Sequence, residues 1–372
     1  MKRAAKRAIK KLEDYKQEHS PQMELFQIVA TEGREYSNTI ELYDFIPKYH
    51  WGNVTRINDQ FLPSFERSFV YRGTEYSARI MPARIKDKDG IERDYYPSSR
   101  EELVEDALRK LACEGRGLIL DDEAGVVFTL YELQKELESR GHGYNLNEIK
   151  EALLICARTQ IELRTQSESG KLQTELESSL FETVGLQTRE DWKGHGEKSK
   201  AFVRFNFLVT RSIKNGTFRP INYEKGMSFK SVIARQLFKR LSHHYTQASL
   251  EKKDRYAILL STIIRDFGLS TNQSMRDQWQ QVKTALEKLE AADVVLSFER
   301  TPVYDPKRKG KIADAKITIT PHPRFTSEMK KYNNISRQVR TSLPQDVLAG
   351  QGQELRRISL EQARTIVDRA KH

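Results

Sequence analysis

The chain has 372 residues, 38% hydrophobic and 31% charged, with a formal net charge of +11. That hydrophobic content builds real cores and excludes a wholly disordered protein, while the longest apolar run, residues 152–157, is far too short to span a membrane. The positive balance suits a polyanion, either nucleic acid or an anionic membrane. It is unevenly spread: residues 101–190 hold 10 Lys/Arg against 19 Asp/Glu, a net of −9, and residues 202–332 hold 25 against 12, a net of +13. Phosphate contact is therefore expected from the second half.

Residues 1–20 carry seven Lys/Arg and no apolar core, so they read as a basic arm, partly helical or disordered, rather than a signal peptide. Residues 22–26 (QMELF) form a short apolar patch, and 31–38 read as linker. A first domain is expected over 39–215. Residues 39–49 have strand character, 67–84 alternate around Arg72-Gly73 as a hairpin, and Asp89-Gly90 marks a charged turn. Ser98 and Ser99 cap a helix with stripe Leu103, Ala107 and Leu111. A strand at 126–128 leads to Thr129, which caps a helix bearing Leu130, Leu133 and Leu137. Gly141-His142-Gly143 breaks it, and Asn145 opens a third helix. Residues 161–164 and 201–210 read as a strand and its returning partner around a polar loop. Helix, strand, helix, turn, helix and hairpin make the order of a winged helix.

The order recurs in a second domain, 222–325. Helices are expected at 229–243, at 256–267 (ended by Gly268) and over 271–295, followed by strands at 294–298 and 316–320. The fold class is α+β, two tandem winged helices between a basic arm (1–38) and a polar tail (326–372) with one weak helix at 359–371.

Chemistry-bearing motifs are scarce. No phosphate-binding Gly-rich loop with Lys-Ser/Thr, no His-x-x-x-His and no Cys-x-x-Cys occurs. Cys113 and Cys156 read as buried thiols in a reducing compartment, and the protein is expected to be cytoplasmic. The many carboxylates of the acidic region are expected on exposed helix faces. The chain is therefore read as a non-enzyme that needs no metal or cofactor.

Two binding features remain. Met275, Trp279, Val282, Leu286 and Leu289 form one apolar stripe, leaving Gln273, Ser274, Arg276, Gln280 and Lys283 on another face, where long side chains meet base edges. Lys307, Arg308, Lys309 and Lys311 lie in a loop between strands, and Lys252, Lys253 and Arg255 precede a helix, placed for phosphates. The second feature is Gln22, Met23, Leu25 and Phe26, either an exposed docking peptide or an anchor of the arm on the first domain.

These residues suggest a family. Val127-Phe128-Thr129-Leu130-Tyr131-Glu132-Leu133 with the helix to Arg158, then Lys239-Arg240-Leu241-Ser242 and Met275-Arg276-Asp277-Gln278-Trp279-Gln280-Gln281-Val282, resemble plasmid replication initiators of the TrfA/RepA type over roughly residues 20–300. The resemblance implies tandem winged helices that bind direct repeats (iterons) in double-stranded origin DNA, promote melting and recruit host replisome components, with a possible homodimer and no membrane partner. It also implies that residues 22–26, with Met23 where the family has Leu, bind the bacterial sliding clamp, with host helicase and initiator as further partners. Long inserts at 84–97 and 165–200 depart from the pattern. The competing readings are a winged-helix transcriptional repressor and a DNA-nicking enzyme.

Overall fold

Side-chain capping sets most helix starts. The computed structural model describes residues 23, 26–27, 36–51, 61–86, 90–120, 122–166, 172–186, 200–245, 255–308 and 310–342. β1 (Tyr36–Thr39) runs into α1 (Glu41–Phe45), where strand was expected across 39–49. Asp44 turns the chain there, because its carboxylate accepts the Ile40 amide at 3.0 Å and the Thr39 hydroxyl. β2 (Phe65–Tyr71) and β3 (Thr74–Met81) are the expected hairpin, with Arg72 and Gly73 both at positive φ. β4 (Ala83–Lys86) and β5 (Glu92–Tyr95) form a second hairpin.

α2 (Ser99–Leu111) starts with a capping box between Ser98 and Glu101. After β6 (Gly117–Leu120) and β7 (Glu123–Thr129), the pairs Thr129/Glu132 and Asn145/Glu148 cap α3 (Leu130–Ser139) and α4 (Leu146–Arg158) in the same way. β8 (Gln160–Gln166) then pairs with β9 (Leu172–Ser179), which lies inside the segment read as a polar loop. Residues 172–179 are polar except for Leu172 and Leu176, and Leu176 lies opposite Leu163. The expected returning strand at 201–210 is corrected: β10 (Phe181–Leu186) and β11 (Lys200–Phe205) pair with each other, and β11 pairs with β7. The strand stops at Phe205 because the Asn206 side chain accepts the Leu208 amide at 2.9 Å and starts α5 (Phe207–Lys214). Two antiparallel sheets result, ordered β10-β11-β7-β6 and β2-β3-β8-β9.

The β4–β5 hairpin packs Ala83 and Ile85 on Ile155, flanked by Tyr95 and Leu154, and Arg158 donates to the Arg84 carbonyl at 2.8 Å. The insert at 84–97 thus covers part of α4.

β12 (Arg219–Asn222) is buried at every residue and pairs with β1, so the segment between the two expected domains is a joint. α6 (Tyr223–Ser228) and α7 (Val232–His244) follow. Residues 256–267 are not one helix. β13 (Tyr256–Leu259) alternates buried and exposed and pairs with β15 (Ile312–Pro321), and only α8 (Leu260–Asp266) is helical. α9 (Met275–Ala291) and β14 (Val295–Tyr304) complete the three-stranded sheet β13-β15-β14. The chain beyond 326 is not wholly a polar tail: α10 (Pro323–Ser342) buries Phe325, Met329, Tyr332 and Ile335 at helical spacing. The helix expected at 359–371 lies outside the described residues.

Apart from the small cluster of Ala83, Ile85 and Ile155, buried apolar residues of both halves form one continuous cluster. Charges cross it. Glu102 on α2 is fully buried and accepts from Arg235 of α7 at 2.8 and 3.1 Å, from Gln236 at 2.7 Å and from Lys239 at 3.3 Å. Lys239 also lies 2.7 Å from Asp106, and Arg109 joins Asp106 (2.6 Å) to Asp44 (2.8 Å), which faces His243. Glu114 and Glu138 are exposed as expected, but Glu101 and Glu105 are buried as well, so the expected exposure is overturned for the carboxylates of α2. Their helix faces a basic partner helix rather than water. A second contact lies at the end of α8, where Gly268 has φ +66° and a Cβ would sit 2.2 Å from the Arg67 guanidinium, while the Trp51 indole donates to the Phe267 carbonyl.

Burial alone would raise the Asp44 and Glu102 carboxyls. Arg109, with His243 and Lys239, outweighs it at Asp44 and holds it well below the usual carboxylate range; Arg235 and Lys239 hold Glu102 below that range. Depressed folded values mean stability that is present above the unfolded carboxylate range and lost as pH falls through the folded values. The expected outcome is acid unfolding that sets in below about pH 4. Glu102→Ala leaves Arg235 buried and unpaired and should cost about 3–5 kcal/mol by urea titration at neutral pH.

Candidate nucleic-acid interface

α9 begins where Ser274 accepts the Asp277 amide at 3.2 Å and donates to the Asp277 carboxylate at 2.6 Å. That hydroxyl, expected at DNA, is thus engaged in the cap. Val282, Ala285, Leu286 and Leu289 are buried, and Met275 and Trp279 pack half-buried at the edge of the core. The opposite side is solvent-exposed at Gln273, Arg276, Asp277, Gln280 and Thr284. Lys283 lies at the margin, 3.5 Å from Glu287, and Gln273 accepts from Gln281 at 2.8 Å. Among the described residues, the side chains of Arg276 and Gln280 form no hydrogen bond or ion pair, so their donors and acceptors face water. The helix therefore offers one guanidinium and one carboxamide a single turn apart, the spacing of adjacent base-edge contacts.

The β14–β15 hairpin rises beside this helix. Asp305 organises its tip, accepting the Lys307 amide through its carboxylate at 2.8 Å and the Arg308 amide through its carbonyl at 3.3 Å. Lys307, Arg308 and Lys311 are exposed there. Lys309, Lys252 and Lys253 lie outside the described residues. Arg255 is exposed at the foot of β13, 3.8 Å from an equally exposed Glu299, a pair that water screens to little net energy.

Two further cations of this hairpin, on opposite faces of the ribbon, escaped sequence reasoning. Arg300 on β14 holds its guanidinium 5.0 Å from the centre of the Trp279 ring, and Lys316 is exposed on β15 opposite Thr301. The strand was expected to stop at Phe298. The alternation Phe298-x-Arg300 beside an aromatic helix position was the available signal. Phe298 meets Trp279 edge-on, with ring centres 6.4 Å apart, so the hairpin is fixed to the helix by a packed aromatic contact.

Of the docking peptide, Gln22 and Leu25 lie outside the described residues, but Met23 and Phe26 are 2% and 0% exposed. Phe26 packs edge-on against Phe218 with ring centres 5.0 Å apart, Asn38 donates to its carbonyl, and the Met23 sulfur lies against Gly117. Of the two readings of this peptide, the burial of Met23 and Phe26 matches the anchor and not the exposed docking peptide. Among the described residues no group of His, Cys, Asp or Glu is placed to hold a metal, and no helix is long and apolar enough to cross a membrane.

Removing Arg276 or Gln280 should spare the fold, because both side chains are exposed and make no hydrogen bond or ion pair among the described residues. Arg276→Ala and Gln280→Ala should each weaken binding to a preferred duplex by about 1–3 kcal/mol and relax its sequence preference, with unchanged thermal unfolding. Arg300→Ala and Lys316→Ala should instead weaken all duplexes alike, each lowering the slope of log affinity against log salt by about 0.9. Fluorescence anisotropy over a salt series reads both.

No family model matches the chain, and no curated protein matches it. Among solved structures it is similar to domains 2 and 3 of RctB, at 11% identity and a TM-score of 0.41 over 74% of this chain and 95% of that one. It is also similar to the Pi initiator protein, solved in complex with iteron DNA, at 10% identity and a TM-score of 0.37 over 66% of this chain and 98% of that one.

Proposed function

We propose that this chain is a replication initiator that binds double-stranded origin DNA through its second half, without catalysing a reaction itself. The observation that carries the DNA-binding part is the pairing of an unengaged Arg276/Gln280 face with a basic hairpin packed against the same helix through Trp279. In this reading α7, α8, α9 and the hairpin act as a winged helix, with α9 in the major groove and Arg300, Lys316, Lys307, Arg308 and Lys311 along phosphates. The first half presents net negative charge between residues 101 and 190, and its third helix, α4, is partly covered by β4–β5. It is therefore assigned to holding and orienting the reading half rather than to reading bases.

The initiator part rests on the resemblance of residues 127–133, 239–242 and 275–282 to plasmid initiators. Origin melting, helicase recruitment and a homodimer belong to that reading and rest on the same residues. Clamp recruitment through residues 22–26 requires Met23 and Phe26 to leave the core and forms no part of the proposal.

DNase footprinting on the DNA flanking the gene separates the function from its main rival. Binding to several direct repeats beside an A·T-rich tract is expected. Protection of a single palindrome over a promoter would favour a transcriptional repressor, and relaxation of supercoiled DNA in Mg²⁺ would make the protein a nicking enzyme. Affinity should fall steeply with salt, since about 0.9 counterions are released per phosphate contacted.

A further inference from the structure

Among the described residues no third strand pairs with the hairpin beyond Lys316: β13 pairs with residues 316–319 of β15, Ser261 bonds Asp314, and the last rungs are a two-stranded ribbon. Large apolar residues end this ribbon. Tyr304 and Ile312 lie directly opposite each other and are 58% and 42% exposed, with Pro302 exposed one step back. A single exposed apolar residue is ordinary, but a paired Tyr and Ile at the end of a basic ribbon form a patch with a direction.

The pleat gives that direction. Side chains alternate along β14, so Phe298, Arg300, Pro302 and Tyr304 share one face. Phe298 and Arg300 both meet Trp279 of α9. The register shift near the tip leaves Ala313 of β15 unpaired, so the extra residue lies on β15 and the alternation of β14 is unbroken. Tyr304 therefore points from the α9-facing side of the ribbon, four residues or about 13 Å beyond Arg300. Lys307, Arg308 and Lys311 are exposed in the same tip.

The geometry points to Tyr304 and Ile312 as an apolar wedge that enters the minor groove of duplex DNA beside the major-groove site of α9, the flanking cations holding the two phosphate walls. This rests on the DNA-binding reading above. The charge selects the occupant: three exposed cations lie between the apolar pair in the hairpin tip, so a polyanion with an apolar interior fits, and the minor groove supplies sugar edges and base edges between two phosphate rows. Side chains of this type that press between base steps partly unstack them and bend the duplex.

The test uses a duplex selected by the full-length wild-type protein from a random-sequence pool, with fluorophores at its ends. Tyr304→Ala combined with Ile312→Ser lies wholly on the exposed tip, and its thermal unfolding should match wild type. The double variant should bind the selected duplex about tenfold or more weakly and bend it less by energy transfer, while its salt slope stays unchanged because no cation is removed. Tyr304→Phe, which keeps the ring, should behave as wild type. Unchanged affinity and bend in the double variant would overturn the wedge, as would a loss carried entirely by the salt slope. If Arg276→Ala still abolishes sequence preference in that case, the DNA-binding reading stands without the wedge. If the wild-type protein selects no duplex, the reading and the wedge fall together.

Discussion

The buried pairing of Glu102 with Arg235 is the constraint on which the arrangement depends. The two residues are 133 positions apart, on helices of different halves, and neither is open to water. A carboxylate with no exposure is tolerated only with full hydrogen bonding, and Arg235, Gln236 and Lys239 supply it from one face of α7. The network continues through Asp106 and Arg109 to Asp44 and His243, so α1, α2 and α7 meet in one defined register. Apolar packing alone would hold these helices together but would allow several alignments; matched charges allow few.

That alignment reaches the reading face by a short path. Arg240, one turn after Gln236 on α7, holds Asp266 at the end of α8 at 2.6 Å. The next residues, Phe267 and Gly268, are gripped by Trp51 and Arg67 of the first half. The turn from α8 into α9 is thereby tied on both sides. The proposed function requires α9 to present its side chains to within a fraction of an ångström, and its entry is set by the packed core. The hairpin is fixed in turn through Trp279, Phe298 and Arg300. The charge asymmetry of the chain acquires a structural meaning: the α2 acids Glu102 and Asp106 face α7, and the basic excess includes both the partners of those acids and the exposed cations of the hairpin.

Local chemistry was legible in the sequence and long-range chemistry was not. Ser98/Glu101, Thr129/Glu132 and Asn145/Glu148 announce three helix starts, because a capping box needs only residues three apart. The stripe of α9 and the Arg72-Gly73 turn are legible for the same reason. The fate of Glu102 is not, since its burial depends on a partner far along the chain. β9 was hidden by its polar composition, and β13 by apolar residues that satisfy helix and strand patterns equally well over so short a run. α10 was missed because its buried residues are spread thinly among charges. At the reading face, Arg276 and Gln280 were placed correctly on the exposed side, whereas Arg300 depends on a strand longer than its apolar core. Met23 and Phe26 show the converse: a short motif in a basic flank gives no local sign that Phe218 and Gly117 will enclose it.

Amide hydrogen exchange with and without a selected duplex tests the central claim most directly, since it maps the contact without any substitution. Slowed exchange should concentrate in the first turns of α9 and at the hairpin tip, residues 304–311, leaving the β4–β5 hairpin unaffected. Protection spread over the first half with α9 unchanged would contradict the assignment of DNA reading to the second half.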